Sequence, residues 1–176
     1  MWLSMMMMTL CQIGQQASLA ETLLSLKIDV CCVSETRIQY PTSVIHLKPL
    51  RANPAISQFT LRVSGDPAAT ARGLYGVGVA HSPRAERAFL DWIPVNSRLC
   101  VVRLAGSIKI NANRHSKQCL FVVSAYAPTD GSSEQEKDDF YRELSRLIRL
   151  TERSDIIILA CDMNAQIGQL HSSEHI

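Results

Sequence analysis

The sequence predicts a layered α/β domain with mixed sheets, and three observations predict it. Apolar runs of strand length recur at 28–33, 58–63, 75–80, 98–104, 119–126 and 155–161. Two stretches with helical spacing of leucines and other apolar residues, 17–27 and 133–150, each lead directly into one of those runs. The composition, 47% apolar and 19% charged, is that of a chain that buries a core. A single domain is the default for 176 residues, since a domain of this size hides roughly 70% of its extended surface.

The opening residues, Met1 to Leu10, are apolar but lack a cationic segment and a small-residue cleavage site, and Gln12, Gln15 and Gln16 follow closely. That pattern argues against a signal peptide, and no apolar run approaches the ~20 residues of a membrane span. The chain is therefore expected to be soluble and intracellular, nuclear or cytoplasmic, and not secreted.

Leu19, Leu23 and Leu26 recur at helical spacing over 17–27, with Lys27 at the end where a cation suits the helix dipole. Ile28 to Val33 is a strand apolar on both faces, giving out at Ser34-Glu35. Pro41, Pro49 and Pro54 mark 36–56 as a long surface loop. Gln58 to Val63 alternates as a strand and turns at Gly65-Asp66-Pro67; Tyr75 to Ala80 is the next strand, ending before Ser82-Pro83. Arg98 to Leu104 and Cys119 to Tyr126 are further strands, joined by a polar hairpin connection over Asn111 to Lys117. Consecutive short strands of this kind predict antiparallel pairing. Ser133 and Glu136 have the spacing of a capping box, and Phe140, Leu144, Leu147 and Ile148 form the apolar stripe of the helix that follows. Asp155 to Cys161 is a last buried strand, ending at Asp162-Met163-Asn164.

Several function classes drop out. A net charge of +2 is too small to mark a nucleic-acid binder by electrostatics alone, so such a partner has to follow from chemistry. The six cysteines contain no C-x-x-C pair. Adjacent Cys31 and Cys32 would face opposite sides of a strand, so buried free thiols are expected, not a zinc site. Gly73, Gly76 and Gly78 lack dinucleotide-loop spacing, and no G-x-S-x-G elbow or H-E-x-x-H helix occurs.

What remains is a pair of carboxylates in equivalent places. Glu35 and Asp162 each stand where an apolar strand gives out, after a helix, at the edge where α/β proteins gather ligands. Two carboxylates brought together repel unless a cation neutralises them, and a hard divalent ion held by one or two carboxylates, water and phosphate is the usual solution. Either residue alone reads more simply as a loop cap, Asn164 as a turn former, Tyr126 as core and Arg98 as a surface cation.

The constellation resembles a known family. Val33-Ser34-Glu35-Thr36-Arg37, Tyr126-Ala127-Pro128-Thr129 and Cys161-Asp162-Met163-Asn164-Ala165-Gln166-Ile167-Gly168 follow the order of three motifs of the endonuclease/exonuclease/phosphatase superfamily. Gly76 to Ala80 and Ser97-Arg98-Leu99 look like that family too. The likeness covers about residues 9–170 and is nearest to craniofacial-development-protein-like sequences, themselves similar to endonuclease domains of non-LTR retrotransposons. It implies a two-layer β-sandwich flanked by helices, DNase I-like, and an Mg²⁺- or Mn²⁺-dependent phosphodiesterase with DNA as the favoured partner. Glu35 would be the metal ligand. Asp162 would orient or deprotonate the attacking water, and Asn164 would hold a phosphate oxygen and fix the Asp162 carboxylate. Tyr126 would stabilise charge on the pentacovalent transition state.

This sequence departs from the family pattern in two places. The family's first strand ends in an Asn whose position falls near Met6, and a methionine neither donates a hydrogen bond nor binds a hard cation. The family's later Asp and Ser-Asp-His motifs should lie beyond residue 170, and Ser173-Glu174-His175 sits too close to Asn164 to stand for them. The expectation is thus a single partial domain over 1–176, incomplete at its C-terminal side and impaired in turnover. The alternative is a catalytically inactive remnant of the fold that serves as an interaction module; a plain α/β binding module is the third reading.

Overall fold

The computed structural model describes residues 2–6, 10–38, 42–50, 58–65, 76–111, 114–152 and 155–164. Among these described residues nine strands form two sheets. The first holds β1 (Trp2–Met6), β2 (Val30–Ser34), β3 (Ser43–Leu47), β4 (Phe59–Ser64) and β5 (Val77–His81), in spatial order β1-β2-β5-β4-β3. The second runs β6-β7-β8-β9 and holds β6 (Phe89–Asn96), β7 (Leu99–Asn111), β8 (Arg114–Tyr126) and β9 (Ile156–Asp162). The helices are α1 (Ile13–Ser25), the short α2 (Pro83–Glu86) and α3 (Glu134–Ile148).

Three apolar clusters define the layers. Val30, Cys32, Val77 and Val79 of the first sheet meet Cys100, Val102, Val122 and Tyr126 of the second. On the outer face of the first sheet, Leu19, Ala20 and Leu23 of α1 cover Cys31, Val33, Leu61 and Val63. On the outer face of the second, Phe140, Leu144 and Leu147 of α3 cover Val101, Phe121, Val123 and Ala125. The result is a two-layer β-sandwich with a helix on each outer face. Because side chains alternate along a strand, β2 has to be apolar throughout: Cys31 and Val33 face α1 while Val30 and Cys32 face the other sheet. Both cysteines are free, and burial pushes each thiol up to about 12.

The mixed pairing agrees with the sequence reading. β2/β5, β4/β5 and β7/β8 are antiparallel, whereas β1/β2 and β8/β9, the two pairs bridged by helices α1 and α3, are parallel. Helix α3 starts at the expected capping box, in which the Ser133 hydroxyl accepts the Glu136 N–H at 3.2 Å and the Glu136 carboxylate accepts the Ser133 N–H. Helix α1 begins four residues before the expected 17, at Ile13.

Three expectations need correction. The last strand, read as buried, is β9 at the edge of its sheet, with Ile157 and Leu159 exposed. Within 36–56, expected to be loop, Ser43–Leu47 forms β3 and pairs with β4. The prolines bracket this strand rather than interrupt it. The sequence reading assigns no element to 89–96, yet β6 lies there with Pro94 inside it. Both β3 and β6 are edge strands, where a missing ladder bond or a proline is tolerated because one side is unpaired. The turn expected at Asp66-Pro67, the centre of the 111–117 hairpin at 112–113, and Ala165 to Ile176, with Ser173-Glu174-His175, lie outside the described residues. Among the described residues no helix is long and apolar enough to cross a membrane.

Candidate active site

The parallel pairs put two strand ends side by side twice. In the second sheet Tyr126 is the register partner of Asp162, the last residues of β8 and β9. In the first sheet Met6 is the partner of Ser34, so β1 ends next to the residue that precedes Glu35. Across the sandwich the Tyr126 hydroxyl donates to Glu35 Oε1 at 2.6 Å, joining the two sheets at this edge. All four residues singled out in the sequence, Glu35, Tyr126, Asp162 and Asn164, therefore meet in one place.

The backbone around them is unusual. Glu35, Arg37 and Asn164 adopt positive φ, at 55°, 55° and 46°. Asparagine tolerates this conformation, but glutamate and arginine do so at a cost that surrounding contacts have to offset. Those contacts are visible. The Thr36 N–H donates to the Gly76 carbonyl, the Gly76 N–H donates to the Ser97 carbonyl, and the Leu10 N–H donates to the Thr36 carbonyl, each at 3.0 Å. Gly76 has φ 103°, and a Cβ there would run into the Thr36 hydroxyl. Only glycine lets the loop after β2 lie this close to the start of β5.

The second sheet is fixed through Ala127. Its N–H donates to the Asp162 carbonyl at 2.8 Å, and its own carbonyl accepts from Asn164 Nδ2 at 2.6 Å and from Arg98 Nη1 at 3.2 Å. The backbone N–H of Asn164 donates to Asp162 Oδ1 at 3.1 Å. The carboxylate of Asp162 is thus held by the main chain of Asn164, while the side-chain amide is engaged with Ala127. Arg98, read from the sequence as a surface cation, is half-buried and bonded to the carbonyls of both Tyr126 and Ala127. Its place beside the other motif residues in the chain, within Ser97-Arg98-Leu99, was the only sequence signal of this.

Electrostatics follow from these neighbours. Burial, first, and then the hydrogen bond to Glu35 push the Tyr126 phenol above its ordinary range; Asn164 opposes the shift, and the charges of Glu35 and Asp162 add to it. The phenol remains protonated at neutral pH and able to donate. Both carboxylates act on it, so both lie within electrostatic reach of one hydroxyl. Glu35 and Asp162 receive hydrogen bonds here from neutral donors, the Tyr126 hydroxyl and the Asn164 N–H. Ion pairs such as Arg62–Glu86, Arg84–Asp29 and Lys137–Glu134 lie elsewhere.

This donor set fits a hard cation. It consists of oxygens, and Cys161 packs toward α3, on the opposite side of β9 from Asp162. Among the described residues no three His, Cys, Asp or Glu side chains gather at one point. An ion would be held by one or two carboxylates with water and phosphate completing its shell, the habit of Mg²⁺ and not of zinc.

Comparison with known proteins gives one sequence relative of note. Bovine (Bos taurus) craniofacial development protein 2 is 30% identical over 93 residues, which are 53% of this chain and 14% of that protein. No protein-family profile matches. Similar solved structures include the endonuclease domain of TRAS1, a telomere-specific non-LTR retrotransposon, at 13% identity over 93% of this chain and 59% of that one, TM-score 0.45. The Xenopus laevis APE2 catalytic domain, at 13% identity over 89% and 56%, has a TM-score of 0.46. Humanised D. rerio TDP2, at 16% identity over 88% and 61%, also has 0.46. The chain spans about three fifths of these solved chains and a seventh of the curated relative. Over those 93 residues the chain is similar to craniofacial development protein 2, in line with the likeness that its ordered motifs carry.

Proposed function

We propose that this edge of the sandwich is the acidic part of an Mg²⁺-dependent phosphodiesterase site of endonuclease type, with DNA as the favoured substrate. The observation that carries the reading is the 2.6 Å bond from Tyr126 to Glu35, which brings the first motif of the resemblance against the second and third across two sheets. Chance motif matches have no reason to converge in space.

Each residue has a role that its geometry supports. Glu35 would hold the ion. When bound, Mg²⁺ would supply charge stabilisation to a phosphoryl oxygen and orient the ester. Asp162 would orient the attacking water and take its proton on Oδ2, because Oδ1 already accepts the Asn164 N–H. Tyr126, kept protonated by its surroundings, would donate toward charge that develops on the phosphorane oxygens. Asn164 would steady Asp162 through its main chain and reach a phosphate oxygen only by exchanging its Ala127 bond.

A second reading, the fold kept as an interaction module without turnover, is favoured by Met6. It stands beside Ser34 at the end of β1, where the family carries an asparagine. Losing one preorganised donor costs about 10²–10³ in rate.

Calorimetric titration with Mn²⁺ and a plasmid-nicking assay with Mg²⁺ test the proposal together. Weak Mn²⁺ binding reduced in Glu35→Gln is expected, with slow nicking lost in Asp162→Ala and raised by up to about 10²-fold in Met6→Asn. Equal Mn²⁺ binding by parent and Glu35→Gln removes Glu35 from the site. Nicking that survives Asp162→Ala overturns the assignment of the base.

A further inference from the structure

The turn between β6 and β7 is bonded to segments beside the proposed site in both sheets, although none of its residues was given a chemical role. Ser64 Oγ, at the end of β4, donates to the Asn96 carbonyl at 2.8 Å. The Asn96 side-chain oxygen accepts the Arg98 N–H at 2.9 Å, closing the turn on itself. The Ser97 carbonyl accepts the Gly76 N–H, and the Gly76 carbonyl accepts the N–H of Thr36, next to Glu35. The Arg98 carbonyl accepts the Tyr126 N–H at 2.9 Å. The guanidinium of Arg98 then reaches the carbonyls of Tyr126 and Ala127, at 3.4 and 3.2 Å, with its central carbon 5.6 Å from the centre of the Tyr126 ring.

Three residues thus connect the Glu35 loop of one sheet to the Tyr126 strand end of the other. Sheets packed face to face slide more readily than strands in one ladder separate, because the contact between faces is apolar and undirected. Something directional has to set the offset between them if Tyr126 is to stay at 2.6 Å from Glu35. At this edge the 96–98 turn supplies main-chain bonds of that kind, beside the Cys32–Ser124 side-chain bond between the two faces. Its main chain is bonded to Gly76 and Ser64 on one side and to Tyr126 on the other, and Arg98 ties the carbonyls on both sides of the Tyr126–Ala127 peptide bond. Both bonds come from one nitrogen, Nη1, whose N–H groups are fixed in the guanidinium plane, whereas a lysine ammonium is a freely turning point charge on a flexible stem.

We propose that Arg98 is a positioning residue of this site, and that the Asn96–Ser97–Arg98 turn is the clamp that sets the spacing between Glu35 on the first sheet and Tyr126 on the second. The inference rests on the phosphodiesterase reading for its purpose but not for its geometry. The Arg98 guanidinium is bonded to main-chain carbonyls of the site. It acts through Tyr126 and, by way of Ala127, through Asp162 and Asn164. Support of this kind around a metal ligand typically sets affinity by about 10–100-fold.

The test uses the full chain with ¹³Cζ-labelled tyrosine at neutral pH. The Tyr126 resonance is assigned with Tyr126→Phe, and its dependence on the Glu35 contact is calibrated with Glu35→Ala, which has no acceptor there. Arg98→Met is expected to move the resonance toward its position in Glu35→Ala and to weaken Mn²⁺ binding by about 10-fold. Arg98→Lys, which keeps the charge but not the guanidinium plane, is expected to lie between Met and parent, and it serves as the variant to read if Arg98→Met fails to fold. A resonance unchanged from parent in whichever variant folds overturns the proposal. A parent chain that binds no Mn²⁺ counts against the phosphodiesterase reading instead, and the tyrosine resonance still decides the role of Arg98.

Discussion

The two ends of the sandwich hold polar groups in opposite ways. At the far end of β5, His81 is completely buried, stacked on Phe89, and held between Arg62 and Glu86. Its Nδ1 lies 2.7 Å from Glu86 Oε2 and its Nε2 lies 3.0 Å from Arg62 Nη1, which fixes a neutral tautomer that donates to the carboxylate and accepts from the guanidinium. Arg62 also binds Glu86 through both of its terminal nitrogens at 2.9 Å and lies over the Phe89 ring. Charge there is matched by charge. At the other end Glu35 and Asp162 are held by a hydroxyl and a main-chain N–H, neutral donors that steady a carboxylate without cancelling it. The first arrangement holds the fold together. The second keeps negative charge available for a cation, which is what a site does and a structural cluster avoids.

The largest expected effect tests the closed end. Burial, followed by the positive charge of Arg62, lowers the His81 pKa from 6.5 to about 4, against the opposing pull of Glu86. A folded-state value below the unfolded one means that His81 favours the fold fully above pH 6.5, and that this contribution is lost as pH falls toward 4. Urea midpoints measured across that window should drop by the equivalent of up to about 3 kcal/mol. His81→Phe should flatten the slope. The Glu86 carboxyl, held down first by its bond to Arg62, gives up its contribution in the same direction at still lower pH. A flat profile between 6.5 and 4 in the parent would show that the ring is not held neutral.

Next in size is Arg62→Met, which keeps the stem and removes the charge. It leaves Glu86 and His81 without their shared partner, and urea unfolding should show a loss of about 2 kcal/mol, moderated because Glu86 is partly exposed. The smallest effect is expected at the open end. Glu35→Gln still accepts from Tyr126 and removes one of two like charges, so stability should stay within about 0.5 kcal/mol of the parent. A loss as large as that of Arg62→Met would mean that Glu35 belongs to the fold and not to a site.

Most elements of this architecture were legible because their signals are local. The Ser133 and Glu136 capping box, the apolar stripe of α3 and the unbroken apolar run of β2 each follow from interactions within a few residues. The strands β3 and β6 were not legible, since prolines near or in them mislead a reading based on local breakers. Glu35 and Asp162 were found because strand ends in α/β order have a known place for ligands. Arg98 was missed because its partners, the carbonyls of Tyr126 and Ala127, are nearly thirty positions away and main-chain oxygens leave no trace in sequence.

The sequence by itself determined most of the element types, the antiparallel middle of the fold and the choice of candidate carboxylates, because periodicity and side-chain chemistry are properties of short segments. Only the tertiary structure decided that Tyr126 reaches Glu35 from the other sheet, that the main chain of Asn164 and not its amide steadies Asp162, and that the 96–98 turn ties both sheets to one edge. Those facts depend on the offset between two packed sheets. Apolar packing is undirected and leaves no pattern along the chain that fixes this offset, so it emerges only once the layers are assembled.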